Sequence, residues 1–191
     1  SFCSCSSTWT LRARPGRPDG ASEGGAHGRM TRSGLARVVR LHGRRDVRLH
    51  AEPRPAPDPG RGEVLVRVTA VGLCGSDRHW FEEGSIGESA LAGTFVPGHE
   101  LVGVIEGGPR HGDRIAIDPA DPCGSCRLCL EGRGRLCPSM RFAGLAPTDG
   151  GLREWMTWPS ARCHAIPPGI GDEEGTLLEP LGVALHAVDL A

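Results

Sequence analysis

The sequence contains neither lysine nor tyrosine, and it has no long apolar run. Aromatic residues make up 4% of its 191 positions. No segment approaches the roughly 20 consecutive apolar residues that a membrane-spanning helix needs, and the N-terminal region lacks the apolar centre of a signal peptide. These absences predict a cytoplasmic protein with no membrane partner, in which thiols stay reduced and clustered cysteines indicate a metal site.

The charges of the chain are almost balanced. All 22 basic residues are arginines, 23 residues are acidic, and the formal net charge is -1. A near-neutral chain lacks the basic surface that general nucleic-acid binding requires, so we expect no nucleic-acid partner. We attribute the exclusive use of arginine to the base composition of the gene.

Glycine and proline are abundant, with 29 and 16 residues, which predicts frequent turns and few long helices. Short β-branched segments bounded by glycine, proline or aspartate predict strands. Apolar residues at helical spacing predict a helix only at the end, where Pro180 occupies a first-turn position. The predicted strands are Ala36–Leu41, Val47–His50, Glu63–Val71, Glu100–Glu106, Arg114–Asp118, Gly151–Trp158 and Cys163–Ile166.

The N-terminal segment differs from the rest of the chain. Residues 1–34 are rich in serine, glycine, arginine and proline and have no hydrophobic periodicity, so we predict a disordered leader or tail. Met30 precedes the first strand and is the expected natural start. A transit peptide is the alternative, although Asp19 and Glu23 count against it. The main domain is predicted over 35–178, followed by a helix over 179–191.

Four cysteines follow one another with the spacing C-x2-C-x2-C-x7-C, in a stretch that has little apolar periodicity. Four thiolates complete the tetrahedral shell of Zn²⁺ and leave no position for water. Zinc would then stabilise a loop that cannot hold itself by apolar burial. A disulfide pair and an iron–sulfur cluster stay open as alternatives. The four residues are Cys123, Cys126, Cys129 and Cys137.

Three further short motifs carry candidate ligands or proton carriers. One motif follows a predicted strand, the second precedes another strand, and the third opens the final helix. Each motif is weak alone, because a single buried cysteine or a surface histidine is common in proteins without a metal. The candidate residues in these motifs are Cys74, Ser76, His79, His99, Glu100 and Glu179.

Taken together, the motifs resemble the zinc-dependent medium-chain alcohol dehydrogenases, and most closely their polyol (sorbitol-like) and butanediol branch. The resemblance rests on Cys-Gly-Ser-Asp-x-His at 74–79, Gly-His-Glu at 98–100, the four-cysteine segment and Glu-Pro-Leu at 179–181. It implies a mainly β fold, in which residues 35–178 form a chaperonin-10 (GroES)-like partly open barrel with a zinc lobe.

The resemblance also implies the ligands of a second, catalytic zinc. Cys74 and His99 would bind the ion directly, and Glu100 would be a further ligand or a supporting carboxylate. Glu179 stands where ethanol-type relatives carry a cysteine ligand, and it would approach the zinc directly or through its water. Such a set leaves one position open, as a catalytic zinc requires. The expected content is two zinc ions per chain.

The implied reaction is the NAD- or NADP-linked oxidation of a secondary alcohol or polyol to a ketone. Zinc would act as a Lewis acid that lowers the pKa of the substrate hydroxyl. Ser76 would accept the hydroxyl proton, and His79 would pass it towards solvent through the cofactor ribose. The nicotinamide would take the hydride. The full-length enzyme is expected to form a homo-oligomer, as relatives commonly do.

The dinucleotide-binding fingerprint G-x-G-x-x-G is absent after the final helix. We therefore expect the α/β Rossmann domain to lie outside this sequence, with no cofactor-binding residue inside it, and the chain alone to be inactive. One alternative is a non-catalytic zinc-binding structural module. Another is a redox protein that holds an iron–sulfur cluster in the cysteine segment.

Overall fold

A computed structural model describes residues 34–191. Residues 1–33 of the predicted disordered leader, with the expected start at Met30, lie outside this range. The strands are β1 (Leu35–Gly43), β2 (Asp46–Pro53), β3 (Glu63–Gly72), β4 (Ser85–Ile86), β5 (Ser89–Ala90), β6 (Glu100–Glu106), β7 (Arg114–Ile117), β8 (Ala120–Asp121), β9 (Arg141–Phe142), β10 (Trp155–Pro159) and β11 (Cys163–Ala165). The α-helices are α1 (Gly75–Glu83), α2 (Arg127–Leu130), α3 (Asp172–Thr176) and α4 (Leu178–Asp189).

The main sheet has five strands in the order β10-β3-β6-β7-β11 and curls into half a barrel. Every neighbouring pair in it is antiparallel. The central strand β6 is buried on both faces, because its successive side chains point in opposite directions. Leu101 packs into a cluster with Val66, Ile115 and Trp158. On the other face Val102 packs with residues near α3 and α4.

The β1–β2 hairpin is a separate two-stranded sheet. Strand β1 pairs with β2 along its length, and its other edge bonds to the loop before β10, where Val39 donates to the Leu152 carbonyl at 2.8 Å. Leu41 from this strand packs with Trp80 and Phe95 in a second cluster. The hairpin therefore joins α1 and the segment before β6 to the main sheet.

Strand β6 and its neighbour β3 approach each other closely at Gly103, where a Cβ would lie 2.6 Å from the backbone oxygen of Arg67. We expect Gly103→Ala to destabilise the protein by about 1–3 kcal/mol, because the two strands must separate. Gly43→Ala is the matched control, since nothing lies within 4 Å of a Cβ there. Chemical denaturation measures both variants, and equal stability of the two would contradict the expectation.

The sequence predicted a helix at the C-terminal end and nowhere else. This prediction is wrong, because the structure also contains the nine-residue helix α1. The helix begins at a capping interaction, in which the Asp77 carboxylate accepts the Cys74 N–H at 3.0 Å, and it ends at Gly84 in the left-handed conformation. Only Asp77 and Trp80 are buried in it. A single buried apolar side chain leaves no helical stripe in the sequence, which is why the hydrophobic pattern missed it.

Several boundaries also differ from the sequence prediction, among them that of β2, which runs to Pro53. Residues 151–154 do not extend β10, which begins at Trp155. Helix α4 begins at Leu178, and its apolar side chains Leu181, Val183, Leu185 and Val188 are exposed. That α4 leads to a nucleotide-binding domain stays a prediction.

Within residues 34–191, no helix has the length and apolar character needed to cross a membrane.

Candidate metal centres

The four cysteines of the C-x2-C-x2-C-x7-C segment converge on one point. The Cys126 sulfur lies 3.5 Å from that of Cys129 and 3.9 Å from that of Cys137, and the Cys123 and Cys129 sulfurs are 3.9 Å apart. Four sulfurs bound at about 2.3 Å to one tetrahedral ion lie about 3.8 Å from one another. The cluster therefore has the dimensions of a single-ion site.

The same distances argue against the two alternative roles of these cysteines, a disulfide pair and an iron–sulfur cluster. All four are free thiols, because a disulfide would bring two sulfurs to about 2.05 Å. A multi-iron cluster needs room between the thiolates for several iron and sulfide atoms. Sulfurs that all lie within 4.8 Å of one another leave room for one ion only.

The thiols of this cluster differ in acidity. N–H groups of Ser125 and Cys126 lower the pKa of the Cys123 thiol to about 6, while burial and the neighbouring thiols raise the pKa of Cys129 to about 12. Like charges at these distances oppose one another. Without a cation the cluster cannot hold four thiolates at neutral pH, so its full ionisation requires a metal.

A second cluster forms where β3 ends and β6 begins. These strands are antiparallel with Gly72 opposite Glu100, which places Cys74, two residues beyond the end of β3, beside the first residues of β6. Ligand atoms of Cys74, His99 and Glu100 all lie within 4.8 Å of one another. The strand register thus brings together residues that are 25 positions apart in sequence.

His99 is held in an enclosed position in this second cluster. It is 7% exposed, and its ring meets Phe142 edge to face with centroids 5.6 Å apart. Its Nδ1 atom is buried without a hydrogen-bond partner among the described residues, and the nearest charged group is Asp77 at 3.8 Å. A buried imidazole nitrogen with no partner is unfavourable unless a cation or a small shift supplies one.

Asp77 is a site residue that the motif analysis did not single out. Its carboxylate accepts the Cys74 N–H at 3.0 Å and the Gly98 N–H at 2.9 Å, so it links the two ligand-bearing segments. Burial raises the pKa of Asp77, while His99 and the two N–H groups lower it. The signal in the sequence was an aspartate three residues after Cys74, the N3 position of a capping box.

Glu100 and Glu179 occupy different positions relative to this cluster. Burial raises the pKa of the Glu100 carboxyl, while His99 and the Cys74 thiol lower it. Glu179 is not among the residues whose ligand atoms converge within 4.8 Å. It still faces the site: burial raises its pKa, His99 lowers it and the nearby carboxylates raise it further. Excess carboxylate around one histidine favours a bound divalent cation.

The two predicted proton carriers lie on α1. Ser76 is half-buried in its first turn, close in sequence to Cys74. His79 is exposed, and its Nδ1 lies 2.9 Å from the Glu83 carboxylate one turn further along. The structure therefore exposes the His79 imidazole to solvent, and the role of Ser76 stays a prediction. No side-chain hydrogen bond joins Ser76 to His79 among residues 34–191.

The chain matches the family model of the alcohol dehydrogenase GroES-like domain over residues 60–168. The chain belongs to this family. The mainly β, GroES-like fold predicted from the resemblance is confirmed, and so is the four-cysteine lobe as a feature of the fold. Residues 34–191 include the GroES-like sheet and no parallel α/β sheet.

Curated relatives extend the comparison to polyol chemistry. Over 149 residues the chain is 44% identical to a protein named probable D-xylulose reductase A from Aspergillus fumigatus, an alignment that covers 73% of this chain and 41% of that protein. It is 41% identical to human sorbitol dehydrogenase over 153 residues, which is 77% of this chain and 42% of the relative. The chain thus spans about two fifths of the length of these relatives.

A solved structure gives the same result for the fold. The crystal structure of ECK1772 from Escherichia coli, an oxidoreductase/dehydrogenase of unknown specificity, superposes with a TM-score of 0.74 at 34% identity. The superposition covers 82% of this chain and 47% of that one. The relatives are oxidoreductases, and this chain corresponds to less than half of each.

Proposed function

We propose that this chain is the metal-binding catalytic part of a zinc-dependent dehydrogenase that oxidises a secondary alcohol or polyol with NAD or NADP. The observation that carries the proposal is the convergence of Cys74, His99 and Glu100. A thiolate, an imidazole and a carboxylate are three ligand types that zinc accepts, and three protein ligands leave a position for substrate. The D-xylulose and sorbitol names of the relatives support a polyol as the substrate class.

The residues present fit a bound zinc ion at this second cluster. The Nδ1 atom of His99 is buried without a hydrogen-bond partner among the described residues. The Asp77 carboxylate accepts the N–H groups of Cys74 and Gly98 and so fixes both segments that carry ligands. Cys74, His99 and Glu100 would hold the ion, and Glu179 would be a further candidate, directly or through a water. When bound, zinc would supply Lewis acidity that makes a substrate hydroxyl easier to ionise.

The remaining roles belong to residues of α1. The Ser76 hydroxyl would accept the proton of the substrate hydroxyl, because it lies in the first turn of the helix that Cys74 caps. His79 would deliver that proton to solvent, since its ring is exposed and pairs with Glu83. The apolar face of Phe142 against His99 would limit the access of water to the site.

Oxidation also needs an acceptor for the hydride, which NAD or NADP supplies in dehydrogenases. The described residues carry no dinucleotide-binding fingerprint. We therefore propose that residues outside this sequence bind the nicotinamide cofactor, and we expect no turnover when the purified chain is assayed alone with either cofactor and sorbitol.

Metal analysis of the purified chain tests the proposal. We expect two zinc ions per chain in the wild type and one in Cys74→Ala. Cys163→Ala is the matched control, because Cys163 is a buried free thiol outside both clusters, and it should keep two. The Cys163 sulfur instead donates to the Pro159 carbonyl at 3.5 Å.

Other outcomes of the metal analysis have definite meanings. One zinc in the wild type, unaffected by Cys74→Ala, would reject the catalytic role and leave a zinc-binding structural module. Iron in place of zinc would reject the assignment of the four-cysteine lobe as well.

A further inference from the structure

The segment that carries His99 has no regular secondary structure of its own. Residues 96–98 form a buried turn between Phe95 and the start of β6. Pro97 has no N–H group, and Gly98 adopts a φ of 92°, so neither can continue a strand ladder. The position of His99 therefore depends on what binds the backbone of this turn.

Every backbone N–H and C=O group of the turn has a hydrogen-bond partner, and the partners come from two parts of the chain. Asp77 accepts the Gly98 N–H at 2.9 Å. The other four bonds come from four consecutive residues. The Asp149 carboxylate accepts the Val96 N–H at 2.9 Å, and the Val96, Pro97 and Gly98 carbonyls accept N–H groups of Gly150, Leu152 and Gly151 at 2.6, 3.0 and 2.8 Å.

The two segments touch backbone to backbone. A Cβ at Gly150 would overlap the carbonyl oxygen of Gly98, so a side chain there would push the segments apart. Residues 149–152 thus form a continuous clamp on the turn, which we name the 149–152 clamp. Gly151 and Leu152 therefore bond to this turn and do not belong to β10.

Charged side chains fix the first residue of the clamp. Arg40 of β1 donates to both oxygens of Asp149 at 3.1 and 2.9 Å, and it also donates to Glu52 of β2 at 2.9 Å. Arg153 lies 3.5 Å from the same Asp149 carboxylate. Its guanidinium is largely buried, and burial lowers the pKa of Arg153. Asp149 is therefore held between two arginines while its Oδ1 atom also accepts the bond from Val96.

We propose that Asp149 is a positioning residue for the second metal cluster, because its bond to the Val96 N–H and its pairing with Arg40 fix the 96–98 turn and hence the direction of the His99 ring. This inference rests on the proposed function. Asp149 does not touch the ligand atoms; it acts through the turn. In proteins generally, loss of a group that orients a metal ligand weakens metal binding about 10–100-fold.

Two variants separate the hydrogen bond from the charge. Asp149→Ala removes both, whereas Asp149→Asn keeps an oxygen that can accept the Val96 N–H but loses the charge and the second oxygen that faces Arg40 and Arg153. We expect Asp149→Ala to weaken zinc at the second cluster by about 10–100-fold and Asp149→Asn, which keeps the Val96 bond, to weaken it less. Asp172→Ala is the control, because Asp172 pairs with Arg114 at 2.6 Å and does not contact the turn.

The measurement is a chelator competition that follows the two zinc ions of each variant separately. The zinc of the four-cysteine lobe is an internal reference and should be released at the wild-type chelator concentration. As a second readout, cobalt replaces zinc at saturating concentration, and the visible absorption bands report the ligand geometry. We expect those bands to shift in Asp149→Ala and not in Asp172→Ala, an effect that reduced stability alone would not produce.

Each outcome distinguishes this inference from the proposed function. Wild-type affinity and unshifted cobalt bands in Asp149→Ala would overturn the positioning role and leave the proposed function intact. Equal weakening in Asp149→Ala, Asp149→Asn and Asp172→Ala would also overturn it, because the cause would be a general loss of stability. A wild type with no metal at Cys74 would reject both proposals.

Discussion

Cys126→Ala is expected to remove one zinc ion per chain and to open the whole four-cysteine lobe. The Cys126 sulfur lies within 3.9 Å of the sulfurs of Cys129 and Cys137, so its loss breaks the tetrahedral set. In small zinc domains the bound ion contributes about 10–16 kcal/mol of apparent free energy to folding. The lobe has little else to hold it, since Leu130 and Leu136 are 75% and 49% exposed.

Limited trypsin digestion followed by mass spectrometry measures this opening. Arg127, Arg133 and Arg135 lie in the lobe and are exposed, and we expect rapid cleavage after them in Cys126→Ala. Cys163→Ala should keep the wild-type pattern, because its thiol lies outside both clusters. Wild-type zinc content together with wild-type resistance in Cys126→Ala would contradict a metal-stabilised lobe.

Phe95→Ala is expected to lower the free energy of unfolding by about 3–5 kcal/mol. The Phe95 side chain is fully buried, and its ring meets Trp80 edge to face with centroids 5.6 Å apart. Its backbone also exchanges two hydrogen bonds with Leu41. The substitution leaves a cavity where β1, α1 and the turn before His99 meet. Phe95 packs there with Leu41 and Trp80, so its loss weakens the junction of all three elements.

Urea denaturation at a fixed zinc concentration measures this loss. Phe81→Ala is the control, because Phe81 lies one position after Trp80 on the same helix and is 38% exposed. We expect its midpoint to stay close to the wild-type value. If the two variants lost equal stability, the junction around Phe95 would not be a part of the core.

The elements that the sequence predicted correctly are those whose pattern lies in consecutive residues. The seven predicted strands correspond to β1, β2, β3, β6, β7, β10 and β11, because alternating or β-branched runs are local properties of the chain. Helix α1 was missed because it buries one apolar side chain. The boundary of β10 was wrong because residues 151–154 bond to the 96–98 turn and to β1, and no local pattern records these bonds.

The candidate sites show the same division. Cys123, Cys126, Cys129 and Cys137 lie within 15 consecutive positions, so their spacing predicted a zinc site, with a disulfide pair and an iron–sulfur cluster as open alternatives. Cys74, His99 and Glu100 could be grouped only through a family resemblance, and whether they bind zinc stays a prediction. Their proximity results from the register of β3 against β6, which pairs Gly72 with Glu100.

The sequence by itself determined the family, the mainly β class and the four-cysteine lobe, because each depends on residues that are close together or on motifs with fixed spacing. Only the tertiary structure decided how His99 is oriented. Asp77 and the 149–152 clamp reach its turn from opposite directions in sequence, and their bonds exist only once the sheet, α1 and the β1–β2 hairpin have packed. Contacts between distant segments carry no sequence periodicity, so their energetic role appears only in the folded chain.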